Sequence, residues 1–445
     1  MIKSLKILMT MACLVSTQAN EINAPLILGK KLTPFWAQEY IGADLIKDEL
    51  KKIQNLKKID VAVIDIGFEK DHINLTEDIE VPPQLNGRRR MIGDHGTSVV
   101  NIFNGPYGIT DQLNLMSLGR VNYNFLYSYY WDTYVESNRI PRIISNSVGW
   151  SDNQDIADIA NEAFEKDVLW FLASGNGHPE EETSKVERES KALLIGSFSP
   201  SGLTSSDTQN HESLLVLAPA NNELATIDGR GRHSLFGATS GATPMVAASV
   251  TNVLSFLPKL KHHHVIALIK KTAFKSVENK LGNERMPGLF NGYKFFKVAQ
   301  RVAKQCPNQD KTCLDQVIKD REIYQFTKTK VISCKKFKMT ATVDQDETLK
   351  AMRTSAFLGN NEQARELACA YDYIGFEKNA QYFRFITSDK LDLKAMEESA
   401  MKAIDEEIYG ISYYRYRSHY SDKYNTYIKE HKKIGPYFKE SLLSF

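Results

Sequence analysis

Six short apolar runs set what this chain can fold into. They are Ile59-Asp60-Val61-Ala62-Val63-Ile64, Leu113 to Leu118, Arg142 to Trp150, Val168 to Ala173, Ala192 to Phe198 and Leu214 to Leu217. Each is too short for a helix. Most lack the polar alternation of a half-exposed strand, so they read as strands covered on both faces. Helical spacing fills several of the gaps between them: Val99, Val100, Ile102 and Phe103, then Tyr123 to Tyr134, then Asp155 to Lys166. Strand and helix in alternation predict an α/β fold with a doubly wound parallel sheet. Right-handed crossovers then bring the carboxyl ends of the strands to one face, where open sheets of this kind place their sites.

A chain of 445 residues exceeds one ordinary domain. Its start reads as a signal peptide over residues 1–19: Lys3 and Lys6, a short apolar core from Ile7 to Ser16, and small residues at Thr17-Gln18-Ala19. Lipidation at Cys13 is the minor alternative. Loss of this segment removes two of the 56 basic residues and leaves 54 against 54 acidic. Such a balance gives no global pull toward nucleic acid or an anionic membrane, and no apolar run is long enough to span a bilayer. Cys306, Cys313, Cys334 and Cys369 remain, all in the last third. In an exported chain, spacings that fit no common zinc pattern point to two disulfides, with Cys306–Cys313 and Cys334–Cys369 as the preferred pairs. Residues 20–300 are expected to form the α/β domain. From about Ala303 the chain turns lysine- and glutamate-rich, and 303–445 reads as a smaller, mainly helical domain with the cysteines.

Four polar residues stand at the ends of these elements, in the order Asp65, His95, Asn176, Ser240. Asp65 closes the first strand, His95 opens a helix, Asn176 follows the fourth strand, and Ser240 heads the apolar run Met245 to Leu257. Each alone has a bland reading as a cap or a surface residue. Together they form the set that acyl transfer needs. A serine hydroxyl is a poor nucleophile until a histidine takes its proton, a carboxylate orients that histidine, and an amide can meet the developing oxyanion.

With these residues in place the chain resembles the subtilisin-like serine proteases, the subtilases. The matching segments are Val61-Ala62-Val63-Ile64-Asp65-Ile66-Gly67, His95-Gly96-Thr97, Asn146-Ser147-Val148-Gly149, Ala173-Ser174-Gly175-Asn176 and Thr239-Ser240-Gly241-Ala242-Thr243-Pro244, within roughly residues 35–300. The resemblance implies a catalytic triad of Asp65, His95 and Ser240 with Asn176 as side-chain oxyanion donor. It also implies that Ser147-Val148-Gly149 and Ala173-Ser174-Gly175 flank a bound peptide. The implied activity is that of an exported serine endopeptidase, periplasmic or extracellular, acting on a protein or peptide and needing no cofactor for catalysis. Structural calcium stays open, because no segment carries a recognisable ligand spacing. Ile66 departs from the family's usual Ser or Thr, and Ser98 and Gly241 also replace more usual neighbours. About twenty residues separate the signal from the first subtilase-like helix, too few for a folded inhibitory propeptide. Either the enzyme folds without one, or its C-terminal region or a separate partner restrains it.

Other readings remain beside this one. A catalytically silent subtilase-like binding protein is the alternative from another class. An α/β-hydrolase esterase is excluded by the order Asp, His, Ser. His262-His263-His264 reads as a solvated helix face rather than a metal site, since consecutive helical residues point about 100° apart. Arg88-Arg89-Arg90 reads as surface or a processing site, and Glu180-Glu181-Glu182 as loop acidity. Tyr413, Tyr414, Tyr416, Tyr420, Tyr424 and Tyr427, interleaved with Arg415, Arg417 and Lys423, read as a helical hairpin seam rather than a nucleic-acid platform.

Overall fold

A computed structural model describes residues 32–387, except 34, 66, 68–93, 106–107, 118–123, 150–153, 177–183, 206–207, 210–212, 222–223, 230–232, 277–286 and 341. The signal segment, Ile66, the arginine and glutamate runs and the tyrosine-rich stretch all lie outside the described residues.

Two short helices, α1 (Trp36–Ile41) and α2 (Ala43–Leu50), precede the first strand, β1 (Ile59–Ile64). The chain continues through α3 (Asp94–Asn104), β2 (Leu113–Ser117), α4 (Asn124–Glu136), β3 (Ile143–Asn146), α5 (Gln154–Glu165), β4 (Leu169–Ala173), α6 (Lys185–Glu189), β5 (Leu193–Phe198) and β6 (Leu214–Pro219). These six strands make one parallel sheet in the order β2-β1-β3-β4-β5-β6. Strands β3 to β6 are buried at every position, as near-continuous apolar runs require. The strand order reverses between β1 and β3, which makes their carboxyl ends the switch point of the sheet.

An antiparallel hairpin that the sequence pattern did not reveal, β7 (Leu224–Ile227) with β8 (His233–Phe236), leads into α7 (Ala238–Leu254). Every residue of α7 is buried. A helix apolar all round belongs in the interior, and this one packs against α3 and the sheet strands β3 to β6. It begins well before the apolar run, at Ala238, which puts Pro244 in its second turn.

Past α8 (His262–Thr272), the backbone at Gly288–Phe290 pairs with the outer strand: Leu217 N–H donates to Gly288 O at 3.0 Å and Phe290 N–H to Leu217 O at 2.7 Å. That covers the sheet edge. The helical region follows as α9 (Gly292–Gln305), α10 (Lys311–Lys319), α11 (Cys334–Lys338), α12 (Thr342–Phe357), α13 (Asn361–Tyr373) and α14 (Glu377–Thr387). Helix α9 runs without a break across residues 300–303. The sulfurs of Cys306 and Cys313 lie 1.99 Å apart and those of Cys334 and Cys369 2.04 Å apart, the distance of disulfides.

The helical region and the sheet domain grip α1 and α2 between them. The Tyr40 ring stacks on Tyr382 at 3.8 Å, while its hydroxyl donates to Pro200 O at 2.8 Å. Arg353 clasps Asp44 with two bonds of 3.1 and 2.7 Å, and Thr33 and Asn379 exchange two more at 3.1 and 2.9 Å. Burial raises the Glu39 carboxyl within this layer, against the charge of Arg353 and the hydrogen bonds from Thr33 and Tyr371.

The histidine run is not a solvated face. His262 and His264 are buried, and only His263 is exposed. The reason is packing: α8 lies between the amino ends of the strands and α10, so a helix turn that looked polar faces acceptors on both sides. His262 Nδ1 reaches Asp167 at 3.1 Å and its Nε2 meets Val168 O at 2.7 Å. Asp167, in the left-handed turn before β4 (φ 65°), also takes Lys261 at 2.8 Å and Arg142 at 3.4 Å. Burial pushes its carboxyl up, but the bonds from His262 and Lys261 and the Arg142 charge outweigh this and hold it at about 2.

A pKa held below its ordinary value of 3.8 adds stability that is present above that value and lost as pH falls through about 2. Asp167→Asn keeps a residue that tolerates the left-handed turn and removes the charge. It is expected to lower stability near neutral pH by about 1 kcal/mol, discounted for partial exposure. Urea midpoints should show the gap between wild type and variant closing as pH falls toward about 2.

Candidate active site

Asp65 follows β1 directly, with no exposed surface, where the buried strand delivers its carboxylate to the switch point. His95 is the second residue of α3, whose inward face is Val99, Val100, Ile102 and Phe103. Helix and strand can meet this closely because Gly96 has no side chain: a β-carbon there would lie 2.1 Å from Gly67 O and 3.1 Å from the Asp65 β-carbon. The result is a bond of 2.7 Å between His95 Nδ1 and Asp65 Oδ1. The carboxylate is wholly buried, whereas the imidazole keeps 30% of its side-chain surface exposed. Phe236, at the end of β8, sets its ring edge-on to the imidazole at 4.9 Å. The hairpin is tied to α3 by Thr226 Oγ1, which donates to Ser98 O at 3.0 Å.

Ser240 is buried in the first turn of α7. The entry is tight: a β-carbon on Gly237 would meet Asn221 O at 2.3 Å, and Ala238 takes the left-handed region at φ 50°. Such a conformation costs a non-glycine residue about 1 kcal/mol and persists only where the surroundings impose it. Pro244 has no N–H, so the Ser240 carbonyl lacks its usual donor four residues on. Ser147 supplies a replacement, since its Oγ donates to Ser240 O at 2.9 Å. The exchange is reciprocal, with Ser240 Oγ donating to Ser147 O at 2.9 Å. Two features of the sequence, a proline in a helix and a serine after a strand, thus become one device.

Thr239 has a role here that the sequence motif does not reveal. Its N–H and its hydroxyl both donate to Asn176 Oδ1, at 3.1 and 2.7 Å. An amide whose oxygen is held in this way turns its NH2 end the opposite way. The N–H is one of those that the first turn of a helix leaves without a carbonyl. Only the fold brings Thr239 to Asn176, from 63 residues away, so sequence spacing carried no signal for it.

Ser147, Val148 and Gly149 leave the carboxyl end of β3, and Ala173, Ser174 and Gly175 leave the neighbouring β4. Asn146 Oδ1 accepts from Val148 N–H at 3.1 Å and fixes the first turn. Gly149 is exposed, Val148 and Ser174 are buried, and Gly175 sits at φ 93°. The two segments border the same face as Ser240.

Among the described residues, the side chains that come together as a metal-ligand set are His263, His264 and Asp315, far from this face in the α8–α10 contact. Both imidazole Nε2 atoms lie on Asp315 Oδ1, at 2.9 and 2.8 Å. Lys261 N–H donates to His264 Nδ1 at 3.1 Å. That leaves Nε2 as the protonated nitrogen of the neutral ring, without a lone pair for a metal. These groups tie α10 to α8 by hydrogen bonds.

Ser147→Ala would leave the buried Ser240 carbonyl without a donor, and is expected to lower stability by about 1–3 kcal/mol. Adding Pro244→Ala returns an N–H to the helix, so the double variant should be more stable than Ser147→Ala alone. Denaturant titration of the four proteins of this cycle measures the coupling.

A search of curated protein sequences finds no match. The model of the subtilase family matches residues 57–293. Among solved structures, the prenylagaramide maturation protease PagA is similar at 20% identity and a TM-score of 0.47, over 56% of this chain and 96% of that one. A cold adapted subtilisin-like serine proteinase is similar at 19% identity and a TM-score of 0.46, over 53% of this chain and 88% of that one.

Proposed function

The chain belongs to the subtilase family of serine proteases, and on that premise we propose that it is an exported serine endopeptidase working through Asp65, His95 and Ser240. The observation that carries the reading is the 2.7 Å bond from a half-exposed histidine to a fully buried carboxylate. It stands beside a helix start that holds a serine. A buried carboxylate on Nδ1 leaves the outer nitrogen, Nε2, as the base.

In the proposed reaction, Ser240 Oγ attacks the carbonyl carbon of the scissile peptide while His95 Nε2 takes its proton. Asp65 keeps Nδ1 protonated and stabilises the imidazolium that forms. The negative oxygen of the tetrahedral intermediate is met by Asn176 Nδ2 and by the Ser240 N–H, which lies in a turn with no intrahelical acceptor. Thr239 holds the amide of Asn176 in the orientation this needs. Collapse of the intermediate breaks the C–N bond, and His95 gives its proton to the departing amine. Water, activated by the same histidine, then releases the acyl group.

The substrate is proposed to lie extended between Ser147-Val148-Gly149 and Ala173-Ser174-Gly175, pairing with their backbone. A substrate N–H that takes the Ser147 carbonyl would release the Ser240 hydroxyl to turn toward His95. The same 2.9 Å bond, if it held permanently, is the feature that favours a silent binding protein. Export is supported by the leader-like start and by the two cysteine pairs, which suit an oxidising compartment. Among the described residues, no helix is long and apolar enough to cross a membrane. Residues 20–300 are assigned to the peptidase unit and 303–445 to the helical region. Among the described residues, the helices of that region pack on α1, α2 and the turn after β5, which favours a supporting role for them.

A fluorophosphonate probe tests the reading without a guessed substrate. Wild type should be labelled at Ser240, and Ser240→Ala should not be labelled. By analogy with subtilisin, the family's namesake, Ser240→Ala is expected to lose about 10⁶ in turnover and Asn176→Ala about 10²–10³. A folded wild-type protein that takes no label would reject the endopeptidase and leave the binding protein.

A further inference from the structure

Gly175 and Asn176 leave β4 as irregular backbone, and a group carried on a loop needs a second layer to hold its aim. Thr239 supplies one side of that layer, and Gln209 supplies the other. Gln209 N–H donates to Gly175 O at 3.1 Å. Its side chain lies so close to the Gly175 α-carbon that a β-carbon there would fall 2.0 Å from Oε1. Gln209 is buried, and Gly175 stands at φ 93°. The buried amide therefore fills the space that a side chain would need and braces the backbone that aims Asn176.

Gln209 is itself anchored. Next to it, Thr208 Oγ1 donates to Ser197 O at 2.9 Å and accepts from Ser197 N–H at 2.8 Å. Ser205 N–H donates to the same carbonyl at 2.9 Å. The turn that begins this segment, with Ser199 N–H bound to Leu203 O at 2.8 Å, lies under α14. Gly202 there sits at φ 87°, and a β-carbon would meet Phe385 Cδ1 at 2.6 Å and Tyr382 Cδ2 at 3.2 Å. Tyr382 is held in turn by its stack on Tyr40.

We infer that Gln209 is a positioning residue for Asn176, and that Tyr382 and Phe385 of the helical region hold the turn that places it. The inference rests on Asn176 being the oxyanion donor. It gives the described C-terminal helices a part in catalysis: they brace the donor from behind.

The full-length protein and four variants, Gln209→Ala, Phe385→Ala, Asn176→Ala and Gln209→Ala/Asn176→Ala, would be compared in p-nitrophenyl acetate turnover, with melting curves as a check of folding. Misplacement of a catalytic group by about 1 Å costs up to about 10²-fold. Gln209→Ala is therefore expected to lower kcat by about 10- to 100-fold with KM changed less than about twofold. Phe385→Ala should shift kcat in the same direction by a smaller factor, and it carries the test if Gln209→Ala does not fold. In the Asn176→Ala background, Gln209→Ala should cause no further loss, because its effect runs through that amide. Wild-type kcat in Gln209→Ala beside an impaired Asn176→Ala overturns the inference alone. So do losses that simply multiply in the double variant, since general loosening would act on both backgrounds. Wild-type kcat in Asn176→Ala overturns the donor assignment and this inference with it.

Discussion

Helix α7 is the constraint on which the rest of the molecule depends. With all 17 of its residues buried, it has no polar face to turn outward. Its place at the centre is therefore set by apolar packing against the sheet on one side and α3 on another. The polar cost of such a helix concentrates at its N-terminus, where backbone groups lack partners. There Thr239 meets Asn176, and the Ser240 carbonyl, deprived of its donor by Pro244, meets Ser147. The groups that satisfy the helix end are those that arrange the candidate site. Stability and site geometry are one set of hydrogen bonds.

The second half of the site follows from sheet topology. At the point where strand order reverses, β1 and β3 run side by side to their last residues, Ile64 and Asn146. Asp65 and Ser147 come from those two ends, and the missing side chain of Gly96 lets α3 press His95 onto the carboxylate. Burial makes Asp65 a fixed hydrogen-bond acceptor, and the exposed edge of His95 stays open to solvent. This division into a dry inner partner and a wet outer one suits the proposed proton transfer.

The helical region shares its core with the sheet domain. Helix α9 buries Phe295, Phe296, Val298 and Val302, and α12 to α14 close over α1 and α2 through the Arg353–Asp44 pair and the Tyr40–Tyr382 stack. Together with the fully buried aromatic stack, this half-buried ion pair ties the two regions across one seam, which favours a single cooperative unit.

The sequence alone was sufficient for the parallel sheet, because strands covered on both faces must be apolar throughout and helices with one buried face must repeat their apolar residues every three or four positions. It was equally sufficient to place Asp65, His95, Asn176 and Ser240 at element ends, since those residues interrupt the apolar pattern. Beyond that, local pattern lost its hold. The start of α7 lay upstream of the apolar run because small residues give no periodic signal. The β7–β8 hairpin was too short and irregular to register. His262 and His264 looked solvated because a histidine is polar in any pattern, and only packing against Asp167, Val168 and Asp315 buried them. The roles of Thr239, Ser147 and Gln209 join residues tens of positions apart. Periodicity reports which way a residue faces within its own element, whereas a hydrogen bond between elements exists only once the whole chain has been packed.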